Sequence, residues 1–347
     1  MQKNLPIFPP LNREQVIRAV ERRSPERIPI VLGKLWGQGF PEAIGSRLAE
    51  FDIYPEDAAF LWMEPFDYKA MQLSWPLPGE SGAMDSRAII DDWSKLDEFI
   101  AKLPEPENDP RFPELERQCR QYRAKDRYVL FAWWRLFFER PWQLRGMENL
   151  MVDYYLHPQQ VHRLHQALCD YYSRFIRQAA RLFKPDAFFT SDDLGNQRQP
   201  MMRPETFVEF IKPYYRQLGK VIRECDLHWW LHSCGDNFAL LPHLIEAGVE
   251  VFHPVQKNTM DAAATAREFS GQLTFLVGFD VQQTLPYSDP QAVREEVRRL
   301  IDTFDRPDGG MCMAAGNGIL PGTPLENIHA FLQETLEYGS HHRRRFI

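Results

Sequence analysis

The chain has 347 residues, 44% of them hydrophobic and 26% charged, enough for one large domain or two ordinary ones. Its 41 Lys+Arg against 48 Asp+Glu give a net charge of -7, and no apolar run nears the roughly 20 residues of a membrane span. Neither nucleic acid nor a membrane is therefore expected as a partner, since a phosphate-backbone binder would carry the opposite charge balance.

Residues 1–25 read as an N-terminal helical arm, with LNREQVIRAVERR amphipathic and stopped at Ser24-Pro25. From Ile28 onward short apolar runs alternate with helical patterns. Runs at 28–33, 128–134, 187–193, 227–235, 249–255, 273–280 and 309–316 predict strands, and an eighth is expected in the Pro-rich aromatic stretch 60–95. Pro204 opens a helix that Pro213 should interrupt. Asp289-Pro290 opens another, and Thr323-Pro324-Leu325-Glu326 reads as a capping box for the last.

Strand–loop–helix repetition predicts a parallel α/β fold. The glycine-rich phosphate loops of nucleotide-binding sheets are missing, which favours a single (β/α)8 TIM-type barrel over residues 26–347. Five scattered cysteines (119, 169, 225, 234 and 312) do not form a disulfide framework, and the start lacks a signal-peptide layout. A cytoplasmic protein is expected.

In such a barrel, chemistry sits at the carboxyl ends of the strands. That rule selects Glu139, Asp192, Asp193, His232, Cys234, Gln256, Asp280 and Asn317. His232 and Cys234, two apart on a strand, face one side and pair imidazole with thiol, a combination suited to zinc. The bland alternative is a core histidine beside a packed cysteine. Cys312 falls within the last strand and is expected in the core. Asn317 offers only a neutral amide oxygen, a poor match for zinc.

Asp192 and Asp193 could carry a proton or cap a turn; Gln197 follows on the same loop. Trp133 and Trp134 could stack a flat ligand or belong to the core. Glu139 and Arg140 could form an ion pair across their loop.

The segments FERPWQLRGMENLMVDYYLHP (138–158), SDDLGNQRQPMMRPETFVEFIKPYYR (191–216), LHSCGDNFALLPHLIEAGVEVFHPVQ (231–256), LPYSDPQAVREEVRRLID (285–302) and GGMCMAAGNGILPGTPLENIHAF (309–331) resemble, in that order, the uroporphyrinogen decarboxylase superfamily. The resemblance is to the branch allied with cobamide-dependent methyltransferases. It implies a (β/α)8 barrel that works with a corrinoid (cobamide) delivered by a partner carrier protein. The expected reaction moves a methyl group from a small donor, such as a methoxylated aromatic, to cobalt(I).

On that reading Asp192, Asp193, His232 and Glu139 are candidate proton donors. Trp133, Trp134, Gln197, Gln256, Asp280 and Asn317 would contact substrate. Zinc methyltransferases of the superfamily use the H-x-C pair plus a third ligand near the last strand, a position that aligns with Asn317. His232 and Cys234 are therefore expected metal positions without that third ligand. The arginine-rich RQAGRY-type motif of the true decarboxylase is replaced by GKLWGQGFPEAIG (33–45). Alternatives are a zinc-dependent methylcobamide:thiol methyltransferase, a porphyrinogen decarboxylase and a non-catalytic binding barrel. A homodimer would be in keeping with the superfamily.

Overall fold

The structure is a computed structural model that describes residues 8–33, 37, 39–66, 71 and 88–346. Seven strands pair in parallel and in sequence order: β1 (Ala58–Trp62), β2 (Tyr128–Trp133), β3 (Ala187–Ser191), β4 (His228–His232), β5 (Val251–His253), β6 (Thr274–Phe279) and β7 (Met311–Ala315). The eighth position belongs to residues 28–32. Ile30 bridges Met313 in parallel, with Val31 N–H donating to Met313 O at 2.9 Å and Met313 N–H to Pro29 O at 2.8 Å. On the other side, Asp57 N–H donates to Ile30 O at 2.9 Å, so the sheet closes into a barrel. The 28–33 run, expected as a full strand, makes only this short bridge. The strand expected in 60–95 begins earlier, at Ala58, and most of the rest of that stretch lies outside the described residues.

Helices follow the strands: α1 (Arg13–Val20) precedes the barrel, then α2 (Phe112–Arg123), α3 (Glu139–Arg145), α4 (Pro158–Phe183), α5 (Lys212–Glu224), α6 (Leu241–Ala247), α7 (Ala262–Phe269), α8 (Pro290–Phe304) and α9 (Leu325–Arg343). Helix α8 starts as its sequence predicts, with the Asp289 side chain accepting from Ala292 N–H at 2.8 Å and proline in the first turn. The helix opened at Pro204 stops at Phe210, and α5 resumes beside Pro213. Helix α9 departs from expectation. Thr323 makes no cap; its hydroxyl donates to Leu320 O at 2.8 Å, and Pro324 is the cap residue.

Two apolar clusters follow from the period-two alternation of the strands. Outward-facing Phe131, Trp133, Phe188 and Trp229 pack beneath the helices, while inward-facing Leu130, Phe189, Trp230 and Cys312 fill the barrel. Cys312 is fully buried there, as expected of a core residue. Helix α1 plugs the amino-terminal end, placing Val16, Ile17 and Val20 in the inner cluster. Arg27 and Asp57, both buried, fasten this end at 2.7 Å, with Leu11 and Ile30 N–H also donating to Asp57. The barrel interior is thus filled from its amino-terminal end, and the carboxyl ends of the strands carry the polar groups.

Candidate functional site

Alternation along β4 turns Trp230 and His232 inward, and Cys234 follows two residues later. The β3–β4 register pairs Ser191 with His232, so Asp193, two residues beyond, arrives beside Cys234. Cys234 N–H donates to Asp193 Oδ1 at 2.8 Å. His232 Nε2 lies 3.3 Å from Cys234 Sγ and 3.7 Å from Asp193 Oδ1. Asn317 Nδ2 approaches the same sulfur at 3.7 Å.

A backbone near-contact makes this possible. Gly235 has φ +82°, and a Cβ there would lie 2.3 Å from Gly195 C. The loops after β3 and β4 thus touch main chain to main chain, and Asp236 N–H donates to Asn196 O at 2.8 Å. Gly235→Ala should lower stability by about 3 kcal/mol in a urea melt, because left-handed strain and the clash add. An unchanged midpoint would mean that the loops can part freely.

His253, on β5, was not singled out from the sequence, yet it fixes the protonation of His232. Its Nε2 lies 3.0 Å from Ala315 O, which only accepts, so Nε2 carries the proton and Nδ1 the lone pair. His232 Nδ1, 2.6 Å from that lone pair, must donate. The lone pair of His232 is left on Nε2, facing Cys234 and Asp193. Burial pushes His232 down to about 4, and burial together with His232 pushes His253 well below the usual histidine value. Both rings are neutral at pH 7.

The adjacent aspartates have different jobs. Asp192 faces outward and is fully buried. It accepts from the N–H groups of Phe137 at 3.1 Å, Phe138 at 2.9 Å and Glu139 at 2.8 Å, and from the Tyr215 hydroxyl at 2.8 Å. Burial pushes its carboxyl up to about 6, and these donors pull the other way. In this role Asp192 holds the start of α3.

Glu139, at that start, accepts from the Ser191 hydroxyl at 2.5 Å. Burial, with Asp193 and Asp192 nearby, pushes its carboxyl up to about 8. Its environment favours the protonated form. The suggested Glu139–Arg140 pair is absent from the ion pairs of the described residues. Arg140 instead binds Glu64 at 2.6 Å and the Trp134 carbonyl at 3.0 Å.

Of the two tryptophans, Trp133 is corrected to core. Its ring packs against Phe188 at 4.3 Å and Tyr172 at 5.4 Å, behind the sheet. Trp134 stands at the mouth, 36% exposed, stacked on Trp62 at 4.8 Å and 25°. Phe189 meets both rings edge-on, and His232 meets Trp134 edge-on at 5.8 Å. Trp62 was missed at sequence level; it shares the inward face of β1 with Phe60, and the two rings stack at 5.4 Å.

Gln256 accepts from Gly235 N–H at 2.8 Å and reaches Gln197 at 3.4 Å, tying two rim loops together. Asp280 anchors its own loop: it accepts from the N–H groups of Gln282, Gln283 and Thr284 and pairs with Lys257 at 3.2 Å. Cys234, Gln256, Asp280 and Asn317 line a cavity of about 50 Å³. A larger one of about 970 Å³, lined by Arg13, Arg123, Arg177 and Glu224, opens by the amino-terminal ends of the strands and contains none of these groups.

The family model described as uroporphyrinogen decarboxylase (URO-D) matches residues 138–338, more than half of the chain. The chain belongs to the uroporphyrinogen decarboxylase family. Among curated relatives it is 25% identical over 194 residues to the methylated-thiol–coenzyme M methyltransferase of Methanosarcina mazei, which is 56% of this chain and 49% of that protein. It is 28% identical over 140 residues to the methylcobamide:CoM methyltransferase MtaA of Methanosarcina barkeri, 40% of this chain and 38% of that one. The matches thus span less than half the length of these relatives. A solved methyltransferase from Methanosarcina mazei superposes with TM-score 0.66 over 94% of this chain and 98% of its own, at 13% identity, and shares the fold. Among the described residues no helix is long and apolar enough to cross a membrane.

Proposed function

We propose that this family member is a corrinoid-dependent methyltransferase working on the donor side. It takes the methyl group of a small methoxylated aromatic and passes it to cobalt(I) of a corrinoid on a carrier protein. The observation that carries this reading is the Trp62–Trp134 shelf beside His232, whose β3 register partner Ser191 donates to Glu139. A flat donor ring stacks on such a shelf, which sets the direction of its O–CH3 bond.

Cobalt(I), when docked over the mouth, supplies the nucleophile. The protein's task is to orient the donor and protonate the departing oxygen. Methyl transfer breaks the O–CH3 bond and leaves its electron pair on an aryloxide. Glu139, holding its proton up to about pH 8, is the acid for that oxygen, and the Ser191 hydroxyl fixes its carboxyl. Asp192 holds the loop that carries Glu139.

The names of the curated relatives and the His232–Cys234 pair support a second reading, a methylcobamide:thiol methyltransferase. Porphyrinogen decarboxylation fits less well, because GKLWGQGFPEAIG (33–45) offers one lysine and no arginine to grip a many-carboxylate substrate.

The test is anaerobic. Mixing the protein with reduced corrinoid, free or on a carrier, and a panel of methoxyaromatics should give methyl-cobalt(III) absorbance with at least one donor. Trp134→Ala should raise the KM for that donor at least about tenfold, the loss of one stacking wall. A flat trace with every donor and either corrinoid, alongside methylcobalamin-dependent methylation of thiols, would replace this reading with the second.

A further inference from the structure

We propose that Asp193, His232 and Cys234 together hold one divalent cation of the zinc class. Asp193, at the end of β3, supplies the third ligand that Asn317 does not. Cation binding rests on geometry alone; the role assigned to the cation below rests on the proposed donor-side function.

Their three ligand atoms lie within 4.8 Å of one another. Zinc sits about 2.0–2.3 Å from nitrogen, oxygen and sulfur ligands, so the edges of its tetrahedron are roughly 3.3–3.8 Å long. The two edges from His232 Nε2, 3.3 Å to Cys234 Sγ and 3.7 Å to Asp193 Oδ1, fall in that range, and the third, between sulfur and carboxylate, is no longer than 4.8 Å.

The groups around the triad suit the same end. The His253–Ala315 chain leaves a lone pair on His232 Nε2, the atom that faces the other two donors. The Cys234 N–H orients the Asp193 carboxylate at 2.8 Å. Asn317 Nδ2 donates toward the sulfur, 3.7 Å away, and so supports a thiolate without ligating. One thiolate, one carboxylate and one neutral imidazole balance a 2+ ion, and three protein ligands leave a fourth position for substrate.

An oxygen ligand in place of a second sulfur gives the cation less electron density. It becomes a harder Lewis acid, better matched to an ether or phenolate oxygen than to a thiol. This chain would thereby direct its metal at the leaving group of a methyl donor.

Cobalt(II), as a spectroscopic probe, and zinc, in competition with a chelator, test the site on the full-length reduced protein. The wild type should take up about one equivalent of either metal and show a sulfur-to-cobalt charge-transfer band with tetrahedral d–d absorption. Asp193→Asn keeps an oxygen for the Cys234 N–H but removes the charge, and should weaken zinc at least about 100-fold. Cys234→Ser should abolish the charge-transfer band, and Asn317→Ala should leave affinity within about tenfold, since it removes only an outer hydrogen bond.

Thermal melts of the metal-free variants establish that each is folded. Wild-type affinity in folded Asp193→Asn, or loss of binding only in Asn317→Ala, would overturn Asp193 as ligand. No uptake by the wild type would reduce the triad to a hydrogen-bonded cluster. Metal uptake without donor-dependent methylation would sink the donor-side reading and leave the site standing.

Discussion

Trp133→Ala should lower the unfolding free energy by about 3–5 kcal/mol, while the same change at the next residue should cost on the order of 1 kcal/mol or less. Trp133 is 1% exposed and wedged among Phe131, Tyr172, Phe175 and Phe188, so its removal leaves a cavity that a close-packed layer cannot fill. Trp134 is 36% exposed and touches mainly Trp62 and Phe189, so water replaces it cheaply. Denaturant melts check both, with the midpoint falling for Trp133→Ala at an unchanged slope. Donor affinity should show the reverse ranking. A silent Trp133→Ala would mean that the sheet carries its tryptophans the other way round.

Glu139→Gln should make the protein more tolerant of alkali and slower in turnover. An exposed glutamate ionises near 4.5, whereas Glu139 in the fold keeps its proton to about 8. A folded-state value raised in this way costs the acid stability as pH climbs. Below 4.5 both states are protonated and nothing is lost; between 4.5 and 8 the unfolded state sheds the proton first, so the native state is progressively disfavoured. Allowing for water at the open mouth, the loss by pH 8.5 is roughly 3 kcal/mol. Glutamine cannot ionise, so the variant's pH profile should be flatter by that amount, which melts at pH 5 and 8.5 would measure. Donor-dependent methylation should fall about 10²–10⁴-fold for want of the acid. Identical pH slopes would mean that Glu139 is ionised in the native protein.

The barrel and its strand ends are legible in sequence because loops punctuated by glycine and proline separate runs too apolar for any surface. The same apolarity hides which face is which. Strand β2, YVLFAW, is buried on both sides and shows no alternation, so Trp133 and Trp134 look equivalent until the fold assigns their parity. At Asp192-Asp193 the β3–β4 register decides: the residue in step with His232 and Cys234 is Asp193. His253 had no such signal, being one histidine on a three-residue strand. Its importance comes from the β4–β5 register, which sets it directly beside His232. Trp62 was obscured by the Pro-rich stretch that follows it. Asp280 resembles a site residue because an anchor for a loop and a ligand for a substrate sit at the same strand end.

The seam between residues 28–32 and β7 sets the order in which this molecule can be completed. Its two sides lie almost 300 positions apart along the chain, and the plug formed by α1 needs both, with Gly310 N–H donating to Ala19 O and the Thr274 hydroxyl to Val20 O. During synthesis the helix therefore keeps its apolar face uncovered until residues 274–313 have been made. Barrel closure thus joins partners of very high sequence separation, the kind of pairing that forms slowly and late.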